Sequence, residues 1–236
     1  MLYAVAIACF GAHYLAFMSR ASSAAPGPPW FPDRSWLSWL AGACLLGAGL
    51  ALLLERRIRW VALAVGAGLS LRVALVHIPR IAESVRNPGA WTSAAEITSL
   101  AGGAFCIAAT LADIADVPPR IAQWVFAVPL FVVGTQHFMY AHFIAGLIPD
   151  QIPGHLFWAY FVGLAFFASA ISIILRVLAV PASALLGLMF LLWVLILHLP
   201  RVVAAQHNGN EWTSMFVALA MCGSSWAVTG SLGKRD

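Results

Sequence analysis

Charge is what this sequence has least of. Of its 236 residues only 9% are charged and 62% are apolar, against roughly 25% charged and about 45–50% apolar in soluble domains. So few polar groups cannot cover a soluble globule of this size. The net charge of +4 is carried almost wholly by arginines scattered among connectors, which excludes a basic nucleic-acid-binding face. Lysine occurs once, as Lys234 in the tail, so no Schiff-base chromophore such as retinal can be held within a bundle. The cysteines Cys9, Cys44, Cys106 and Cys222 show no C-x-x-C spacing and fall inside apolar runs. They read as small buried hydrophobes, neither a redox dithiol nor a metal cage.

What is present is a series of long apolar runs. About 20 residues of helix cross roughly 30 Å of hydrocarbon, and eight such runs can be drawn. They are Leu2–Met18, Trp36–Leu54, Trp60–Ile78, Thr92–Asp113, Ile121–Ala141, Leu156–Leu175, Pro181–Leu199 and Trp212–Gly230. The first follows Met1 with no basic segment before it and reads as a retained helix, not a cleaved signal. The stretch Ser22–Asp33 is too rich in proline and glycine for a helix interior and reads as a loop, with Trp30, Trp36 and Trp39 as interfacial anchors. Pro79 and Pro200 are expected to stop their helices, because proline lacks the N–H the next turn needs.

One stretch is used twice. From His77 onward, seven of 17 positions recur 121 residues later: His77, Pro79, Arg80, Asn87, Trp91, Thr92 and Ser93 match His198, Pro200, Arg201, Asn208, Trp212, Thr213 and Ser214. Upstream, from Pro32 to Val76, only six of 45 positions match at that offset. The likeness is concentrated in one connector, and a fixed period argues for a repeated unit. The expected architecture is an all-α, polytopic membrane protein: eight transmembrane helices as two parallel four-helix repeats, residues 1–116 and 117–236. An even number of crossings separates the copies, so they share one orientation, as repeats related by an axis along the membrane normal do. Lys and Arg number seven on the side holding Arg56, Arg57, Arg59, Arg120, Arg176, Lys234 and Arg235, against five on the other. That bias favours both termini cytoplasmic and the repeated connectors outside.

The connectors carry the candidate chemistry. His77 and His198 are expected in a last helical turn, where free carbonyls stabilise an imidazolium. Arg80 and Arg201 can snorkel to water or hold an anion in the guanidinium fork. Asn87, Trp91, Thr92 and their partners Asn208, Trp212, Thr213 complete a candidate substrate-binding rim, with Thr92 and Thr213 also placed to cap helix N-termini. The plainer account is that proline stops, arginine anchors, tryptophan marks the interface and threonine caps. It leaves the histidines unexplained, since no helix end requires one. His13 and His137, at an offset of 124, and His142 and His155 are expected on the same outer side, giving a layer that can titrate, relay protons or hydrogen-bond a quinone oxygen. Arg72 and Glu96 are isolated intramembrane charges, a site or an inter-helix ion pair. Neither is repeated, for Trp193 and Val217 stand at the matching positions. The candidate catalytic set is therefore His13, His77, Glu96, His137 and His198. No H-x-x-x-H pair or carboxylate set supports a metal, so haem or metal ligation by His77 with His198 is disfavoured.

GTQHF, Gly134 to Phe138, followed by IPDQIPGHLFWAYFVGLAFF, Ile148 to Phe167, resembles the opening of the DoxX family of bacterial and archaeal membrane proteins. His13 and Tyr14, Pro32 and Trp39 to Gly42 match it more loosely. A usual member is a single four-helix unit, so two fused units depart from the pattern. The resemblance implies a four-helix membrane fold and an association with respiratory redox chemistry; archaeal relatives form the membrane subunit of a thiosulfate:quinone oxidoreductase. A sister group serving disulfide chemistry carries a cysteine pair that this chain lacks. Three functions stay open on these grounds. One is a quinone-linked redox subunit working with an electron-carrying partner on a small sulfur-containing anion at the outer face. A second is a non-catalytic binder or carrier of a small molecule or lipid. The third is an assembly or scaffold subunit, including a homo-oligomer.

Overall fold

The structure, a computed structural model, is described for residues 1–18, 35–111 and 117–233. The first-half loop with Trp30 and Pro32, the linker residues 112–116, the side chain of Trp36, Arg20, Arg34 and the tail from Lys234 lie outside the described residues. The elements described are helical. Helix α1, Leu2–His13, continues as a π turn, Tyr14–Met18. It is followed by α2 (Ser35–Leu53), α3 (Ile58–Glu83), α4 (Pro88–Thr110), α5 (Pro119–Met139), α6 (His155–Leu175), α7 (Ala179–Ala204) and α8 (Gly209–Gly233). A short helix, Ala141–Ala145, lies between α5 and α6. Among the described residues six helices, α3 to α8, are long and apolar enough to cross a membrane, while the apolar parts of α1 and α2, Leu2–Ala16 and Trp39–Leu53, are shorter.

Pro79 does not end α3, contrary to the sequence expectation. The helix is α-helical over Ile58–Arg72, widens to a π turn over Val73–His77, and resumes over Ile78–Glu83. Proline removes one donor and its ring crowds the carbonyl four residues back. A π turn bonds i to i+5; here the N–H of Ile78 donates to the carbonyl of Val73, so the chain passes the proline without breaking. Helix α7 does the same, with a π turn over Val194–His198 ahead of Pro200. His77 and His198 thus sit within long helices, and free terminal carbonyls are not what surrounds them.

The N-termini of α4 and α8 are capped by asparagine, not threonine. Asn87 Oδ1 accepts from the N–H of Gly89, and Asn208 Oδ1 from that of Asn210, both at 3.0 Å. Thr92 and Thr213 lie one turn inside, their hydroxyls 2.9 Å from the carbonyls of Pro88 and Gly209. Trp91 and Trp212 clasp the same connectors, donating from Nε1 to the carbonyls of Val85 and Gln206 at 2.8 and 2.9 Å. The opposite turns match too: Glu55 and Arg57 before α3, like Arg176 and Leu178 before α7, adopt left-handed φ between 47° and 59°. Each of these pairs is separated by 121 residues, far beyond the stretch where identity is visible.

The close-packed pairs form a circuit, α1 with α2, α2 with α3, α3 with α4, α4 with α5, α5 with α6, α6 with α7, α7 with α8 and α8 with α1, bridged by α4 against α8. Replacing each helix by the one four places on leaves this set unchanged. Helices α4 and α8 are the central ones, 56% and 61% of their apolar windows being buried, against 28% for α3 and 22% for α7. The outer pair shows matching exposed apolar stripes, Leu71, Leu75 and Ile78 on α3 and Leu192, Ile196 and Leu199 on α7, which suit a bilayer and not water. Glycine permits the tight crossings. A Cβ on Gly102 of α4 would lie 2.3 Å from the backbone N of Phe126 on α5, and one on Gly223 of α8 the same distance from that of Tyr3 on α1. At the centre Gly103 faces Ser224, its own counterpart. Away from the connectors, buried Gln123 ties α5 to the α6–α7 turn and α8, accepting from Arg176 Nη2 at 2.9 Å and donating to Ser231 Oγ at 3.0 Å.

Candidate functional site

The central α4–α8 contact divides the circuit into two five-helix rings, each containing both helices. The ring of α4, α5, α6, α7 and α8 encloses a cavity of about 740 Å³. Ligand pockets generally hold about 300–1,000 Å³, so this one is large enough for a small organic molecule. It reaches the connector end of the bundle, where Pro88, Gly89 and Asn210 border it, and both repeated connectors open onto that end. The segment after α5 lies along it through Phe143, Ile144, Leu147 and Ile148.

The cavity walls are divided by polarity. Glu96, Thr92 and Ser93 come from α4, Gln136 and His137 from α5, His198 from α7, and Thr213 and Ser214 from α8. The remaining wall is largely apolar and aromatic, with Val162, Phe166, Met189, Phe190, Trp193 and Met221. His137 Nδ1 lies 2.9 Å from the carbonyl of Val133. A carbonyl only accepts, so Nδ1 carries the proton and Nε2 keeps a lone pair; the ring meets Phe166 edge-on at 5.1 Å. Gln136 is fixed by donating from Nε2 to the carbonyl of Pro88 at 2.9 Å while its Oε1 lies 2.7 Å from the Thr92 hydroxyl. That fixes the entry of α4 against the end of α5.

His198 owes its place to the π turn. In an α-helix two residues five apart lie about 140° apart around the axis, whereas the i to i+5 bond of a π turn stacks them on one side. Trp193 and His198 therefore both reach the cavity. His198 Nδ1 is buried without a hydrogen-bond partner among the described residues. Glu96 is half-buried and open to the cavity, and no described residue pairs with its carboxylate. The ion pair between Arg72 and Glu96 that the sequence allowed does not form. Arg72 instead stacks over the ring of Tyr14, at 5.5 Å to its centroid, because the two charges face different rings of the circuit.

Of the five candidate catalytic groups, Glu96, His137 and His198 line the cavity, while His13 and His77 do not. His13 Nε2 shares a hydrogen bond with Thr213 Oγ1 at 2.9 Å, mirroring the Thr92–Gln136 contact. His77 is 5% exposed and lies on α3, in the other ring. His142 is exposed and His155 half-buried, and neither lines the cavity, so the expected six-histidine layer is not one cluster. Of the expected rim residues only Thr92 and Thr213 reach the cavity. Asn87, Asn208, Trp91 and Trp212 hold the connectors together instead. Arg201 is engaged by Glu211 in a two-pronged pair, 2.9 Å from Nε and 2.8 Å from Nη2, whereas Arg80 is exposed.

Ser93 and Ser214 belong to the recurring stretch but were not among the expected site residues, and neither were Gln136 and the aromatic wall. Gln136 and His137 lie within GTQHF, and Ile148, Trp158, Val162 and Phe166 within the stretch Ile148 to Phe167. No group of three or more His, Cys, Asp or Glu side chains suited to a metal ion occurs among the described residues. No family model matches the chain, and no curated protein or solved structure matches it.

Proposed function

We propose that the cavity among α4 to α8 binds a small amphiphilic molecule with a flat apolar body and a hydroxyl or carbonyl head, with quinones and quinols as the leading chemical class. The observation that carries this is the division of one cavity wall into two chemistries. Phe166, Phe190 and Trp193 offer faces for a ring. Glu96 and the lone pair of His137 Nε2 accept hydrogen bonds from a ligand hydroxyl, and the hydroxyls of Ser93 and Ser214 donate to a carbonyl. A scaffold subunit has no need of such a chamber.

The same reading takes the chain as a DoxX-like protein of eight spans, in two four-helix repeats of like orientation, residues 1–116 and 117–236, with both termini cytoplasmic. It is supported by the 121-residue recurrence of π turns, asparagine caps, tryptophan clasps and left-handed turns. Helices α1 and α2, 19 residues or fewer, supply the two shorter crossings. A redox role is favoured by a specific pairing: Glu96 and His137, both able to carry protons, face one chamber. In that version a quinone takes two electrons from a partner subunit that oxidises a small sulfur-containing anion, and two protons from water by way of these groups, to leave as quinol.

Trp158 and Trp193 border the cavity and serve as reporters, since quinones quench indole fluorescence. Titrating the full chain in phosphatidylcholine nanodiscs with decylubiquinone should give saturable quenching and a raised unfolding temperature. Val217→Trp, which fills the cavity from α8, should abolish both. Linear, non-saturating quenching with no thermal shift, or saturation unchanged in V217W, overturns the assignment. Quinol formation with a sulfur donor and partner present would separate turnover from binding alone.

A further inference from the structure

The second ring of the circuit, formed by α1, α2, α3, α4 and α8, is the counterpart of the one that holds the cavity. Its residues carry opposite charge. Trp193 on α7 lines the first cavity, and its match on α3 is Arg72, whereas Glu96 has no charged match, Val217 standing at that position on α8. We propose that Arg72 and His77 form a second ligand site, for a small oxyanion such as a carboxylate, phosphate or sulfate.

Three observations place the groups together. Arg72 and His77 are joined by the π turn Val73–His77, the device that brings Trp193 and His198 onto one cavity wall, so a guanidinium and an imidazole lie on one side of α3. The Arg72 guanidinium also reaches the ring of Tyr14 on the extension of α1. Helices α1 and α3 each pack on α2 and are not close-packed on one another, so that contact crosses the ring interior and directs the charge inward, away from lipid. Lastly, His77 is 5% exposed and its Nε2 is buried with no hydrogen-bond partner among the described residues.

Arg72 needs a counter-charge that no described carboxylate provides. It lies 11 residues short of Glu83, about 16 Å along the axis at 1.5 Å per residue, within the apolar run of α3. A tyrosine ring attracts the cation but does not neutralise it. An oxyanion does both jobs: it takes the two parallel N–H donors of the guanidinium and accepts from an N–H at the idle Nε2 of His77. The guanidinium charges of Arg72 and Arg80 both reach His77, so the surrounding field also draws an anion. The cavity proposed for the amphiphile has no such cation, and the two sites select ligands of different charge.

The test uses the full chain in neutral phosphatidylcholine nanodiscs, titrated at constant ionic strength with phosphate, sulfate or acetate against chloride. Unfolding temperature and calorimetric binding are read. At least one anion should bind saturably, with a tenfold or greater loss of affinity in Arg72→Gln. Arg72→Lys, which keeps the charge and the fold while losing the fork, should bind more weakly than wild type. His77→Gln should lower affinity without changing decylubiquinone quenching, which separates this site from the cavity. A second arm replaces part of the lipid with phosphatidylglycerol. Stabilisation there that depends on Arg72, with no response to the free anions, assigns the phosphate to a lipid headgroup. No saturable response in either arm, or a response unaltered in R72Q and R72K, overturns the site.

Discussion

Two matching close crossings in the bundle offer a quantitative check on its packing. A methyl added at Gly102 would stand 2.3 Å from the backbone N and 2.6 Å from the Cα of Phe126, and at Gly223 the same two distances separate it from Tyr3. Non-bonded carbon contacts settle at about 3.5–4.0 Å, so each crossing must open by roughly 1 Å. The neighbours are backbone atoms, and no side-chain rotation relieves the clash. Forcing a methylene-sized group into a packed interface costs roughly 1–3 kcal/mol. Gly47 and Gly68 supply the reference, since a Cβ there meets nothing within 4 Å and Ala gains about 0.8–1.0 kcal/mol in helix propensity over Gly. Comparing variants at the four positions cancels that propensity. Equilibrium unfolding in mixed micelles should place Gly102→Ala and Gly223→Ala below Gly68→Ala by about 1–3 kcal/mol each, and within about 1 kcal/mol of one another. If G102A matches G68A, the α4–α5 approach is not as close as described. If G102A and G223A differ widely, the two crossings are not equivalent.

Further outcomes follow from the same geometry. Replacing Thr213 by Val removes the hydrogen bond to His13 and should lower stability by about 0.6 kcal/mol, the usual worth of an inter-helix hydrogen bond in a membrane protein, as read by the same unfolding assay. Glu211→Gln loses the charge in the pair with Arg201, whose side chain is 35% exposed. A partly solvated pair is worth about 0–1 kcal/mol, so a small loss that shrinks further in high salt is expected. Glu96→Gln should weaken binding of a hydroxylated quinol by about 10-fold or less, the scale of one ordinary hydrogen bond, while the oxidised quinone changes less. Equal effects on both forms in the quenching titration would remove Glu96 from head-group recognition.

Composition alone fixed the solvent and the class. With 9% charge and apolar runs of bilayer length, little but lipid-embedded helices can form, and the helix positions were legible to within a few residues except at the prolines. The 121-residue echo was legible in one connector because asparagine caps and tryptophan clasps need those particular side chains. Elsewhere the two halves share shape without shared letters, since a lipid-facing position accepts almost any large apolar residue. Tertiary structure decided which groups meet. The π turns, set by a local conflict at proline that sequence periodicity does not register, rotate Trp193 with His198 onto the cavity wall and join Arg72 to His77. Glu96 and Arg72, both isolated charges in the sequence, turned into separate rings because α4 faces one way around the central contact with α8 and α3 borders only the other ring. A chain read in order shows the charges; only the circuit of helices shows which ring each one faces.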